Sequence, residues 1–202
     1  MEGLEAFYST MEKLSMFIRE LSQDIDEKQV DKFVGMLMET WNGGKVVLIV
    51  GAGRSGFVAR GFAMRLMHLG FRTHVLGETI TPAVGTNDLI LAVSGSGTTG
   101  IVVDAAQAGA KVGAKVVAIT SFPESPLADI SDHIVVILGR TNEPTEPDYF
   151  SRQILGIHEP LAPLGTLFEI SCMVFLDSIV VELMQRMGTT EEEMKSRHAT
   201  IE

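Results

Sequence analysis

The spacing of apolar positions changes near residue 43, and that change divides the chain. Before it, Leu4, Phe7, Tyr8, Met11, Leu14 and Ile18 recur at three- and four-residue intervals, and Val30, Phe33, Val34, Leu37 and Met38 repeat the pattern after a polar break at residues 22–26. Such stripes predict two amphipathic helices whose apolar face must be covered by the following residues or by another subunit. From Lys45 to Val50 the apolar residues run almost without interruption and end at Gly-Ala-Gly, as in a strand buried on both faces of a parallel sheet. Similar runs at 73–76, 88–94, 115–120 and 133–138 alternate with helical stretches at 55–69, 100–112 and 126–129 and a short turn at 81–84. This alternation predicts right-handed βαβ units and an α/β fold, a doubly wound five-stranded parallel sheet that holds ligands at the carboxyl ends of its strands. A proline-rich segment at 139–163 reads as a long irregular loop, followed by a long helix at 164–187 and a short acidic one at 189–197. The expected organisation is one domain, 1–202, with N-terminal helices (1–42) ahead of an α/β core and C-terminal helices (43–202).

Composition narrows the partners. Lys and Arg number 16 against 26 Asp and Glu, a formal charge of −10, so the clustered positive charge that grips a phosphate backbone is missing. Cys172 is the single cysteine, which leaves no internal disulfide and no zinc cluster and suits a reducing compartment. The first residues lack the apolar core of a signal peptide, and the longest apolar stretch, 170–184, is broken by Asp177 and Glu182 before it reaches the ~20 residues a bilayer needs. The expectation is a cytoplasmic chain that binds neither nucleic acid nor membrane.

Two glycine-rich turns carry the chemistry. Gly51-Ala-Gly-Arg-Ser-Gly56 has the G-x-G-x-x-G spacing of a dinucleotide site between a strand and a helix. A dinucleotide also wants an acid about 20 residues on to hold the ribose, where this chain has Phe71-Arg-Thr-His74, with Glu78 arriving late. Arg54 and Ser55 place a charge and a hydroxyl in the turn, which suits a small anion better. The second turn, Ser94-Gly-Ser-Gly-Thr-Thr99 before a helix at Gly100, gathers backbone N–H groups, the hydroxyls of Ser94, Ser96 and Thr99, and the open approach left by Gly95 and Gly97. Capping a helix needs one hydroxyl; four in six residues point to an anion. No Gly-Lys-Ser/Thr and no aspartate pair suggests a nucleotide or magnesium.

The two turns together resemble the sugar isomerase (SIS) domain. Arg152-Gln-Ile-Leu-Gly156, Pro163-Leu-Gly-Thr-Leu-Phe-Glu169 and Arg197-His-Ala-Thr-Ile-Glu202 are similar to the 6-phospho-3-hexuloisomerase family in particular. That resemblance implies a flavodoxin-like SIS fold and interconversion of D-arabino-3-hexulose 6-phosphate and D-fructose 6-phosphate through an enediol, in the ribulose monophosphate pathway. It implies no metal and no cofactor, and a homo-oligomer, commonly a tetramer. Residue by residue it places Ser55, Ser94, Ser96 and Thr99 on the phosphate and Glu169 where SIS isomerases keep a catalytic carboxylate, and the turns themselves add Gly53, Arg54, Gly95 and Gly97 as expected substrate- and phosphate-binding residues. His198 matches the terminal Arg-His-Ala, and would serve as a proton shuttle or an enediolate stabiliser in its own site or a neighbour's, or else be a tail histidine with no role. Thr98 departs from the wider SIS pattern, in which a Glu or other polar residue is common.

The residues also admit plainer readings. Glu169 could be a solvated acid at a helix start, complementing the dipole. Arg54 could pair with a nearby acid, and Arg152 and Gln153 could either close the proline-rich loop over the substrate or pack within it; His158 stays open. His68, His74 and His133 read as structural, and Cys172 as buried packing. Competing activities are an arabinose 5-phosphate isomerase, a noncatalytic phosphosugar sensor and, on the first turn alone, an NAD enzyme.

Overall fold

The computed structural model describes residues 3–139, 154 and 164–198. Five parallel strands, β1 (Val46–Gly51), β2 (Arg72–Val75), β3 (Leu89–Val93), β4 (Lys115–Thr120) and β5 (His133–Val136), form one sheet in the order β2-β1-β3-β4-β5. The helices are α1 (Glu5–Asp24), α2 (Glu27–Asn42), α3 (Gly53–Leu69), α4 (Gly100–Lys111), α5 (Pro126–Ile130), α6 (Leu164–Met187) and α7 (Glu191–Ser196). The anticipated doubly wound five-stranded parallel sheet is therefore present, with an N-terminal hairpin and C-terminal helices. Strand and helix bounds fall within a few residues of those read from periodicity; the stretch at 81–84 is irregular backbone.

The continuous apolar runs are explained by helices on both faces. Val47 and Ile49 of β1 point into a core shared with α2, α3 and α6, whereas Leu48 and Val50 point into a second core under α4 and α5. At the amino ends of the strands two carboxylates tie neighbouring segments together. Asp88 accepts hydrogen bonds from the N–H groups of Val46 (2.8 Å) and Gly85 (2.7 Å), and Asp132 accepts from Val116 N–H (2.8 Å).

The N-terminal apolar stripe divides between two fates. On α2, Phe33, Val34 and Leu37 are fully buried against the sheet. This helix also seals the edge strand β5: Gln29 Oε1 accepts from Val136 N–H at 2.9 Å, and His133 Nε2 lies 2.8 Å from the Gln29 carbonyl. Burial pushes the His133 imidazole below its usual pKa, in keeping with the structural role expected for it. On α1 only Leu21 is buried, and Leu4, Phe7, Tyr8 and Met11 are more than half exposed. Among the described residues no helix is long and apolar enough to cross a membrane.

Candidate active site

In a sheet of this order the chain leaves β1 toward β2 on one side, and β3 pairs on the other, so a crevice opens between their carboxyl ends. Gly51 and Val93 are in register there. Both glycine-rich turns consequently leave the sheet side by side, each running into the N-terminus of a helix.

The first turn is shaped by close backbone packing. A Cβ on Gly56 would come 2.9 Å from the Gly51 carbonyl oxygen, and one on Gly51 would come 3.0 Å from the Gly56 Cα. The outer glycines of the G-x-G-x-x-G spacing are thus demanded by the crossing of α3 over β1, with no nucleotide required. Arg54 is exposed at the start of α3 and forms no ion pair among the described residues. Ser55 is turned inward and buried.

The second turn is laced by its own hydroxyls. Ser94 Oγ and Thr99 Oγ1 are 3.0 Å apart, Gly97 N–H donates to Ser94 Oγ (3.2 Å), and Thr98 donates to Ser96 Oγ through its N–H (3.3 Å) and its hydroxyl (3.1 Å). Thr99, the residue before α4, makes no side-chain capping bond. Val102 and Val103 N–H groups return to the Thr99 carbonyl, whereas those of Gly100 and Ile101 meet no acceptor among the described residues. Donors at the start of α4 therefore remain for a ligand.

Residues that the sequence reading passed over support this turn from below. Thr120 Oγ1 donates to the Gly95 carbonyl at 3.4 Å, Ser121 N–H donates to the same oxygen at 3.1 Å, and Leu127 N–H donates to the Gly97 carbonyl at 3.0 Å. Gly97 has φ +65°, and a side chain there would run into Ser125, the N-cap of α5. The Ser125-Pro126 pair was a visible capping signal; its contact with Gly97 is long-range and had no local mark.

Glu169 reaches the crevice from α6. It is 5% exposed, and its Oε1 accepts a hydrogen bond from Ser55 Oγ at 3.2 Å. The solvated-acid reading is thereby removed. The carboxylate lies against the first turn of α3, where the helix dipole favours negative charge. Gly139, beyond β5, passes against the backbone of Leu167 and Phe168 and brings this part of α6 to the sheet. One turn on, Cys172 is fully buried, and burial with the nearby Glu169 charge pushes its thiol far above the usual pKa, so it is an inert packing group.

The structure separates His198 from this group. Its ring stacks on His68 at a centroid distance of 3.8 Å, and Arg197 Nη1 donates to the His68 carbonyl at 2.8 Å. His68 ends α3, whereas Ser55 begins it; thirteen residues at about 1.5 Å each make a separation of about 20 Å. Arg152, Gln153 and His158 lie outside the described residues. Among the described residues, open cavities of about 730 and 830 Å³ lie between the hairpin and α6 and between α2 and the amino ends of the strands. Neither includes any residue of the two turns.

A family model for the SIS domain matches residues 44–147, the span holding the sheet and both turns. This chain belongs to the SIS domain family. A 3-hexulose-6-phosphate isomerase of Mycobacterium gastri is 41% identical over 77% of this SIS chain and 73% of the relative. The enzyme of that name from Bacillus subtilis is 35% identical over 77% and 80%. A solved Methanococcus jannaschii protein, for which a molecular function of 3-hexulose-6-phosphate isomerase is inferred, superposes with a TM-score of 0.74 at 26% identity, covering 98% of this SIS chain and 99% of its own.

Proposed function

We propose that this SIS protein is a 6-phospho-3-hexuloisomerase, an intramolecular oxidoreductase that interconverts D-arabino-3-hexulose 6-phosphate and D-fructose 6-phosphate. The observation that carries the proposal is the pairing, at one crevice, of a hydroxyl-lined anion turn with a buried carboxylate. Relatives at 33–41% identity that bear the name of this activity support it. The phosphate is assigned to the second turn: the hydroxyls of Ser94, Ser96 and Thr99, the backbone of Gly95 and Gly97, and the first N–H groups of α4. Gly53 and Arg54, at the mouth of the first turn, are assigned to the sugar, where an exposed guanidinium can meet hydroxyls or a developing enediolate.

The chemistry follows from the carbonyl shift. With O6 phosphorylated, a 3-ketose cannot close a five-membered ring and arrives open-chain, so no ring-opening acid is needed in that direction. Glu169 takes the proton from C2; the C–H electron pair becomes the C2–C3 double bond of the enediol, and O3 gains a proton. The proton of O2 then leaves as the C2 carbonyl forms, and Glu169 returns its proton to C3. One carboxylate suffices because, held over one face of the planar enediol, it can reach both C2 and C3.

His198 enters as the shuttle between O2 and O3, from a neighbouring subunit, since its own Glu169 is a helix length away. That assignment belongs to a homotetramer in the cytoplasm. The uncovered apolar side chains of α1, together with Phe57, Met64 and Met67 on α3 and Val181 on α6, are surface for such an assembly, and a lone buried cysteine suits a reducing compartment.

The test is isotope exchange. Fructose 6-phosphate incubated with the protein in deuterated water should gain deuterium at C3 and none at C1. Label at C1, or a substrate that forms no 3-ketose, would remove the proposal, C1 exchange being the mark of an aldose–ketose enzyme. Mixing Glu169→Gln and His198→Ala subunits should restore part of the activity that each variant lacks. Failure of mixed assemblies to recover any would return His198 to a structural role.

A further inference from the structure

The family resemblance puts Ser55 on the substrate phosphate; its geometry points elsewhere. Ser55 is 6% exposed and Glu169 5%, and they meet at 3.2 Å across 114 residues of sequence. The hydroxyl reaches the carboxylate because Gly56 lets α3 cross Gly51 so closely that the first helical turn is pressed into the gap between β1 and α6. Ser94, Ser96 and Thr99 hydrogen-bond within their own turn; Ser55 bonds with none of them.

We infer that Ser55 is a positioning residue for the catalytic carboxylate and no part of the phosphate anchor, an assignment that rests on the reading of Glu169 given above. A glutamate has three side-chain torsions, and a general base must hold its oxygen on the C2 and C3 protons through both transfers. A hydroxyl donated to Oε1 restrains the plane of the carboxylate. Ser55 sits in the first turn of α3, so the same helix terminus that favours the negative charge also delivers the hydroxyl.

The inference separates binding from turnover. Ser55→Ala should lower kcat about 10–100-fold while KM for fructose 6-phosphate and the inhibition constant of inorganic phosphate stay within twofold. In a Glu169→Gln background the same substitution should cost almost nothing, because the group it positions is gone. Ser55→Gly removes the same hydroxyl and leaves the space open, and gives the same comparison should the alanine variant fail to fold. A tenfold weakening of phosphate inhibition with kcat preserved would overturn the inference and return Ser55 to the phosphate. An equal loss of kcat in the wild-type and Glu169→Gln backgrounds would overturn it as well, as damage that does not act through the carboxylate. Full turnover by Glu169→Gln itself would overturn the underlying reading, and this inference with it.

Discussion

Two glycine-rich turns leave neighbouring strands of one sheet at the same level, yet their glycines answer different demands. Gly51 and Gly56 exist for backbone contact, and the hydroxyl between them, on Ser55, is spent on Glu169. Each turn has one glycine with a left-handed φ, Gly53 and Gly97, but in the second the hydroxyls brace one another beside the N–H groups of Gly100 and Ile101, which meet no acceptor in the described chain. The comparison teaches that a G-x-G-x-x-G spacing after a strand records tight strand–helix crossing first, and a ligand only when donors are left over. Among the described residues donors are left over at both helix starts, those of Gly53, Arg54 and Ser55 at α3 and of Gly100 and Ile101 at α4, and the second turn differs by adding the buried hydroxyls of Ser94, Ser96 and Thr99. Chemistry and binding are accordingly proposed to divide between the two.

The largest effect should come from the chemical side. Glu169→Gln keeps the size of the side chain and can still accept from Ser55, but it cannot take a proton, so kcat should fall about 10²–10⁴-fold with KM little changed. Steady-state kinetics on fructose 6-phosphate decide this; near-normal turnover would break the division at its strongest point. The anchor should respond in the opposite sense. Ser96→Ala, and more so Ser94→Ala with Thr99→Ala, should raise KM with a smaller change in kcat, each lost bond to a charged phosphate costing about 1.5–3 kcal/mol. An unchanged KM in the multiple variant would take the phosphate away from this turn.

How much of this was legible in the sequence depended on whether the signal was local. The strand runs, the break before α2 and the donor-rich turn all show as periodicity or as residue types within a few positions. Glu169 was reached through family resemblance, and its burial depends on Gly139 passing against α6, a contact between segments nearly thirty residues apart that no pattern announces. The same holds for Gln29, which reads as one polar residue on a helix and turns out to satisfy Val136 on the sheet edge. His198 shows the limit from the other side: its motif was recognisable, but only the fold shows that α3 separates it from its own Glu169.

Stability separates the turns as well. Gly56→Ala forces a Cβ against the Gly51 carbonyl at 2.9 Å, a backbone clash that no side-chain movement can relieve, and should cost about 1–3 kcal/mol in urea unfolding. Gly97→Ala adds the strain of a left-handed φ to a collision with Ser125, so it should cost at least as much and in addition weaken phosphate inhibition. Should Gly56→Ala weaken phosphate inhibition and Gly97→Ala leave it intact, the anchor has been placed in the wrong turn.

The smallest effect concerns ligands alone. A ligand bound only by the folded state adds RT ln(1 + [L]/Kd), about 1.4 kcal/mol at ten times Kd, which for a chain of this size is about 3–6 °C in Tm. Inorganic phosphate at that level should raise Tm, and NAD at millimolar concentration should leave it unmoved, because the first turn lacks the ribose-holding acid. Phosphate also stabilises folded proteins generally by exclusion from their surface, so the informative quantity is a difference. The increment should shrink in the variant carrying Ser94→Ala and Thr99→Ala and persist in Ser55→Ala, whose hydroxyl faces Glu169. Equal increments in all three proteins would reduce the anion effect to the solvent, and an NAD-dependent rise in Tm abolished by substitution at Arg54 would make the first turn a dinucleotide site.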